Sequence, residues 1–270
     1  MWPKLLLRCF LFAALTVITQ VGGLVLLATW SIAPRINIRW STRYPKLLSS
    51  ALFFALYLIT SAFVVPPLAR LNGRTPLPVF SKGPMRPRTV WTALLNRNYV
   101  DIELDQLLAE VATEFAASHT GARVLYMDAC FPFFEGFSLL PHLSHDDGRK
   151  VDLAFIYHAI GGTTPVDQTP SPIGYGAFEQ PFPGEEDTAA RCAEQGAWWY
   201  TMLGFVPRDE QLVIHEQATS ELVQALADHR MTGKIFIEPF LKTRWHISSD
   251  KVRFHGCQAV SHADHIHVQL

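Results

Sequence analysis

Two short stretches of this chain concentrate the residue types that bind transition metals and move protons. The first, PHLSHDDGRKVDLAFIY, carries His142 and His145 and, seven residues after His145, Asp152. The second, SHADHIHVQL, carries His262, Asp264, His265 and His267. Zinc takes imidazole nitrogen and carboxylate oxygen at about 2.0–2.2 Å, and a catalytic zinc keeps three protein ligands and one open position. Gly148 allows a tight turn between His145 and Asp152, so both can face one point. In HIH the period of a strand sends His265 and His267 to the same face and Ile266 to the other. One of the two can then bind a metal while the other stands beside the water to be activated. The two stretches are therefore expected to meet around one metal ion.

Other carboxylates close by have a different expected part. Asp264 could orient a histidine from behind the ligands, whereas Asp146 and Asp147 belong to an exposed turn, so Asp152 is the preferred acidic ligand. The remaining histidines, His119, His158, His215, His229, His246 and His255, read as ordinary surface or core residues. Ser144 next to His145 is a poor nucleophile–base pair, and no G-x-S-x-G elbow is present.

The elements that must hold these groups can be read from periodicity. Residues 101–121 place Leu104, Leu107, Leu108, Val111 and Phe115 at helical steps, with Asp101 as N-cap and Gly121 as stop. ARVLYMDA and KVDLAFIYHA read as strands, residues 161–187 as a long surface loop, Thr188–Met202 and Asp209–Arg230 as helices, and KIFIEP (Lys234–Pro239) and HIHVQL as the last two strands. Residues 101–270 thus form one α+β domain.

Charge divides the chain at the same boundary. Residues 1–100 hold 12 Lys/Arg and no acid, and residues 101–270 hold 11 Lys/Arg against 24 Asp/Glu. The basic part reads as a membrane anchor over residues 1–69. It has two uncharged runs, at about 9–34 and 47–69, each long enough to cross a bilayer and too long for a cleaved signal peptide. The partner on that side is the lipid bilayer, with no nucleic acid expected. Residues 70–100 read as a basic, proline-containing linker. The positive-inside count is divided. The four basic residues between Arg35 and Lys46 place both flanking ends outside, while Lys4, Arg8 and the five basic residues of 70–88 place them inside. Of the cysteines Cys130, Cys192 and Cys257, one pair plus a free thiol suits an oxidising compartment and three thiols a reducing one.

The pattern H-x-x-S-H-x-x-G-x-x-x-D followed by H-x-x-H-x-H-V is similar to that of the penicillin-insensitive murein endopeptidases. These sit within a wider set of zinc peptidases with the lysostaphin-type endopeptidases and D-Ala-D-Ala carboxypeptidases. The matching residues are His142, Ser144, His145, Gly148 and Asp152, then His262, His265, His267 and Val268. The resemblance implies one Zn²⁺ per chain held by His145, Asp152 and His267, with His265 catalytic and His142, Ser144, His262 and Asp264 around substrate or ligands. It implies a small antiparallel sheet with flanking helices. It also implies a metallopeptidase hydrolysing amide bonds in peptidoglycan crosslinks or stems, here tethered to a bacterial inner membrane with its domain in the periplasm. Lys150 departs from it, standing where the endopeptidases carry an acid. Hedgehog signalling domains resemble the same zinc site, so a non-catalytic binding or signalling domain is the alternative.

Overall fold

A computed structural model describes residues 2–40 and 43–270. The first uncharged run does not form one span. It is divided between α1 (Trp2–Thr19) and α2 (Gly22–Trp40), joined at Gln20 and Val21. Gln20 takes a φ of 66°, outside the right-handed helical region, and this ends α1. α2 then starts hard against α1: a Cβ on Gly23 would collide with Thr16 Oγ1 and come within 2.8 Å of the Phe12 carbonyl. Arg8 lies over the Trp30 ring, so the two helices run antiparallel. The second run lies in α3 (Pro45–Ile59), which continues through a π-helical turn (Thr60–Val64) into α4 (Val65–Leu71). Trp2–Thr19 and Pro45–Leu71 are long and apolar enough to cross a membrane.

Residues 70–100 are not a loose linker. They fold as β1 (Arg74–Pro76), β2 (Met85–Pro87), α5 (Val90–Leu94) and the start of β3 (Tyr99–Asp101). β1 pairs with β3, and Leu77, Met85, Asn98 and Tyr99 are buried. The prolines end short strands here instead of keeping the segment out of the core.

The domain continues with α6 (Ile102–Ser118), β4 (Val124–Tyr126), β5 (Lys150–Ala154), β6 (Tyr157–Ala159), β7 (Pro165–Val166), α7 (Thr188–Glu194), β8 (Leu212–Ile214), α8 (Glu216–Asp228), β9 (Lys234–Phe236), α9 (Pro239–Arg244), β10 (Val252–Arg253) and β11 (His265–Gln269). The class is α+β, but the main sheet is neither small nor purely antiparallel. Its six strands run in the order β10-β9-β11-β5-β4-β2, antiparallel in the middle and parallel at both edges. The parallel edges follow from connectivity: β9 reaches β10 through α9, and β2 reaches β4 through α6, and parallel neighbours need such crossovers. Two expected helices are shorter. α7 stops before Gly196, which has a φ of 81°, leaving Trp198 and Trp199 in turns. Residues 209–230 begin with β8, because Leu212–Ile214 pairs with β6 before α8 starts.

α6 and α8 cover one face of the main sheet. Leu104, Leu108, Val111, Leu222 and Leu226 pack there with Val151, Leu153, Ile266 and Val268. Alternation along β5 and β11 leaves Asp152, His265 and His267 to the opposite face, and the register sets His267 directly across from Asp152. A disulfide, Cys192–Cys257, fastens α7 to the segment before the second histidine stretch, and Cys130 is a buried thiol. Closing a loop over a separation of 65 residues contributes about 4 kcal/mol in the chain-entropy account. Cys192→Ser is therefore expected to lower the thermal midpoint by about 8–16 °C, measured by circular dichroism of the detergent-solubilised chain.

Candidate metal centre

The loop from Phe131 to Gly148 carries the first histidine pair, and Arg74 fixes it. The buried Arg74 guanidinium donates to the carbonyls of Phe131, Phe133 and Asp146. Gly148 turns the chain into β5 with a φ of 82°, where an added Cβ would come within 3.0 Å of Arg74 Nε. Both the conformation and the space require glycine. Lys150 is neutralised by Asp146 and Asp147, at 3.4 and 2.5 Å, so those acids face away from the histidines. Glu238 holds the other stretch: Tyr200, Ser261 Oγ and the His262 backbone N–H all donate to its Oε1.

Asp152 is the centre of the cluster, and its two oxygens have different neighbours. Oδ2 accepts from Tyr175 at 2.8 Å and lies 2.9 Å from His142 Nδ1. Oδ1 lies 2.9 Å from His267 Nδ1, 3.3 Å from His145 Nε2 and 3.7 Å from His265 Nε2. His145 Nδ1 is 2.8 Å from the Ala129 carbonyl, to which it donates, and this turns the Nε2 lone pair inward. His145 Nε2 and His267 Nδ1 are 3.2 Å apart. Three ligand-type atoms thus form a triangle with sides of 2.9, 3.2 and 3.3 Å. Ligands at about 2.0–2.1 Å from a tetrahedral ion are separated by roughly 3.3 Å, so the triangle has the dimensions of one face of such a site. His267 Nε2 is buried without a hydrogen-bond partner. His142, His145 and Asp152 are buried and close enough together to hold a metal ion.

The electrostatics favour a cation. Burial pushes the Asp152 carboxyl up, but the charges of His145 and His265 and hydrogen bonds from His142 and His145 outweigh this and hold it well below the carboxylate range. Burial pushes His267 down to about 4, against the pull of Asp152, so its imidazole is neutral as a ligand must be. Burial and the neighbouring His265 and His267 likewise keep His262 neutral. For His265 burial again acts downward, but Asp152 and Asp264 win and raise it. Asp264 fixes that ring: one oxygen is 2.5 Å from His265 Nδ1 and the other accepts from the Gly176 N–H.

These residues border one cavity of about 410 Å³, lined by His142, His145, Asp152, His262, His265 and His267 and walled by Pro141, Leu143, Trp199 and Met202. Ser144 lines it from an exposed position. Both ring nitrogens of His145 are occupied by Ala129 and by the Asp152–His267 pair, so neither can activate that hydroxyl. His255, read as ordinary from the sequence, also lines the cavity and stacks on His262. Asp128 and Tyr175 were not anticipated. Asp128, just past β4, lies 3.7 Å from His142 Nδ1, and Tyr175 comes from the long loop. An acid directly after an apolar strand was the one readable signal, and Tyr175 had none.

Comparison with protein-family models and with curated proteins finds no match for the chain.

Proposed function

We propose that the chain is a membrane-anchored zinc hydrolase of amide bonds, acting on peptidoglycan crosslinks or stems. The observation that carries the reading is the triangle of His145 Nε2, Asp152 Oδ1 and His267 Nδ1 with His265 Nε2 beside it. The other Asp152 oxygen is taken by His142 and Tyr175, which makes these the groups that orient the carboxylate and leaves His145, Asp152 and His267 as ligands. Zinc in that position would polarise an amide carbonyl and lower the pKa of water. His265, held by Asp264 with Nε2 toward the cavity, is placed to take a proton from the attacking water and return it to the leaving amine. Peptidoglycan as substrate rests on the resemblance of the two histidine motifs.

The test uses the full chain, because β2 belongs to the main sheet. About one zinc per parent chain is expected, with almost none after His145→Ala plus His267→Ala. The parent should release new amines from peptidoglycan in a chelator-sensitive way. Zinc without turnover would favour the binding-domain alternative, and a folded parent without zinc would overturn the reading.

We also place the domain in the periplasm. The helical hairpin settles the conflict in the charge count. Lys4, Arg8, Arg35, Arg39, Arg43 and Lys46 lie at the ends of α1, α2 and α3 remote from the domain, while the Gln20 turn at the other end has no charge. The positive-inside rule then puts the basic ends in the cytoplasm and the domain across the membrane. The Cys192–Cys257 disulfide suits an oxidising compartment. A phosphatase reporter that works only outside the cytoplasm is expected to be active when fused after Leu270. Activity there of a reporter restricted to the cytoplasm would reverse the assignment.

A further inference from the structure

The helical hairpin is docked on the domain right beside the candidate site. Gln20 donates to the Phe133 carbonyl and accepts from the Phe133 N–H, on the loop that leads to His142. Asn96 donates to Thr19 O, Tyr57 Oη and Ser61 Oγ. The next residue, Arg97, reaches Asp128 and the Leu140 carbonyl, and Tyr57 donates to the Leu94 carbonyl at the end of α5. Only a few side chains separate the membrane helices from the histidines.

Length makes this position consequential. Between the basic ends and the docked turn run 12 residues in α1 (Arg8 to Gln20), 14 in α2 (Arg35 back to Val21) and 11 in α3 (Lys46 to Tyr57). At about 1.5 Å per residue these cover roughly 16–21 Å, while the hydrocarbon core is about 30 Å thick. Snorkelling by the basic side chains closes part of the shortfall. The rest must be met on the domain side, and apolar surface is there to meet it. Phe63, Leu68 and Leu71 stay exposed beyond the docked turn. On the domain, Trp91, Phe134, Leu140, Leu143, Ile173 and Met202 are exposed on or next to the segments that touch the hairpin or wall the site. The opposite face, made by α6 and α8, exposes Glu103, Glu110, Glu114, Glu221 and Asp228, which would not enter a bilayer.

A second cavity, of about 300 Å³, continues from the first across Pro141 and His142 to Trp91, Leu95, Ile173 and Leu203. It ends against α5, the helix bonded to Tyr57. We infer that this apolar rim is seated in the bilayer leaflet on the domain side, and that the site takes amides in peptides carried by a lipid anchor in that leaflet. The acyl chain would leave the bilayer past Trp91 and Leu95 while the peptide reaches the histidines. The substrate half rests on the hydrolase reading; the seating does not.

The test has two arms with the full chain in phosphatidylethanolamine–phosphatidylglycerol vesicles. A photocrosslinking residue at Leu143 or Trp91 is expected to capture lipid acyl chains, and one at Gln106 on α6 is not. No lipid adduct at either rim position, or equal capture at Gln106, overturns the seating. In the second arm a peptidoglycan stem peptide bearing a palmitoyl chain is compared with the same peptide without it. The acylated form is expected to be cleaved with at least about ten-fold higher kcat/KM, a preference that Leu95→Asp removes. Equal rates overturn the substrate class while leaving the hydrolase standing. Cleavage of neither by metal-loaded protein overturns the hydrolase and the substrate class with it, and the lipid adducts still decide the seating.

Discussion

Asp152→Asn is expected to empty the cluster of metal and abolish turnover while leaving the fold in place. The side chain is the same size, so the core across β5 is not disturbed. What it loses is the negative charge on which His142, His145, His265 and His267 converge. An amide has no such charge to offer a cation, and its NH₂ group brings donor hydrogens to where lone pairs must converge. Zinc content should fall from about one per chain to below about a tenth. The fold offers a second readout. A ligand present at about 1,000 times its Kd stabilises the native state by about 4 kcal/mol, which for a domain of this size is about 8–16 °C in Tm. A chelator should therefore lower the Tm of the parent by about that much and leave Asp152→Asn where it is. Equal responses of the two proteins would mean that metal is held elsewhere.

How much of this site the sequence disclosed depends on the range of the signal. Period-two alternation is local, so the shared face of His265 and His267 could be read, as could the core positions Ile266 and Val268. Glycine at residue 148 was legible as a turn. Tyr175 is fixed by a partner 23 residues away, and Glu238 by its bonds to Tyr200, Ser261 and His262. Such partners become neighbours only once the sheet has formed, and no short window contains them. The membrane part was misread for the opposite reason. Counting uncharged residues over 9–34 passed over a glutamine and two adjacent glycines in the middle of the run, which are local breaking signals. That one turn changes two spans into a hairpin plus a third helix. It moves the domain to the other side of the basic ends.

His265→Ala separates chemistry from metal binding, and its expected effect is the larger on kcat. The ring lies outside the ligand triangle, with Nε2 3.7 Å from Asp152 Oδ1, so its removal leaves all three ligand atoms in place. Zinc content should stay at about one per chain. Losing the group that shuttles the proton should lower kcat by about 10³, or about 4 kcal/mol in the barrier, with little change in KM. Asp264→Asn should give a smaller loss, about ten-fold, because the ring remains but its Nδ1 partner no longer accepts as a carboxylate. That ordering distinguishes a proton-shuttling His265 from one that merely packs against Tyr175, for which Asp264→Asn would leave kcat untouched. If His265→Ala instead strips the zinc, His265 is itself a ligand. The proton transfer would then have to pass to His262, the other neutral imidazole lining the cavity.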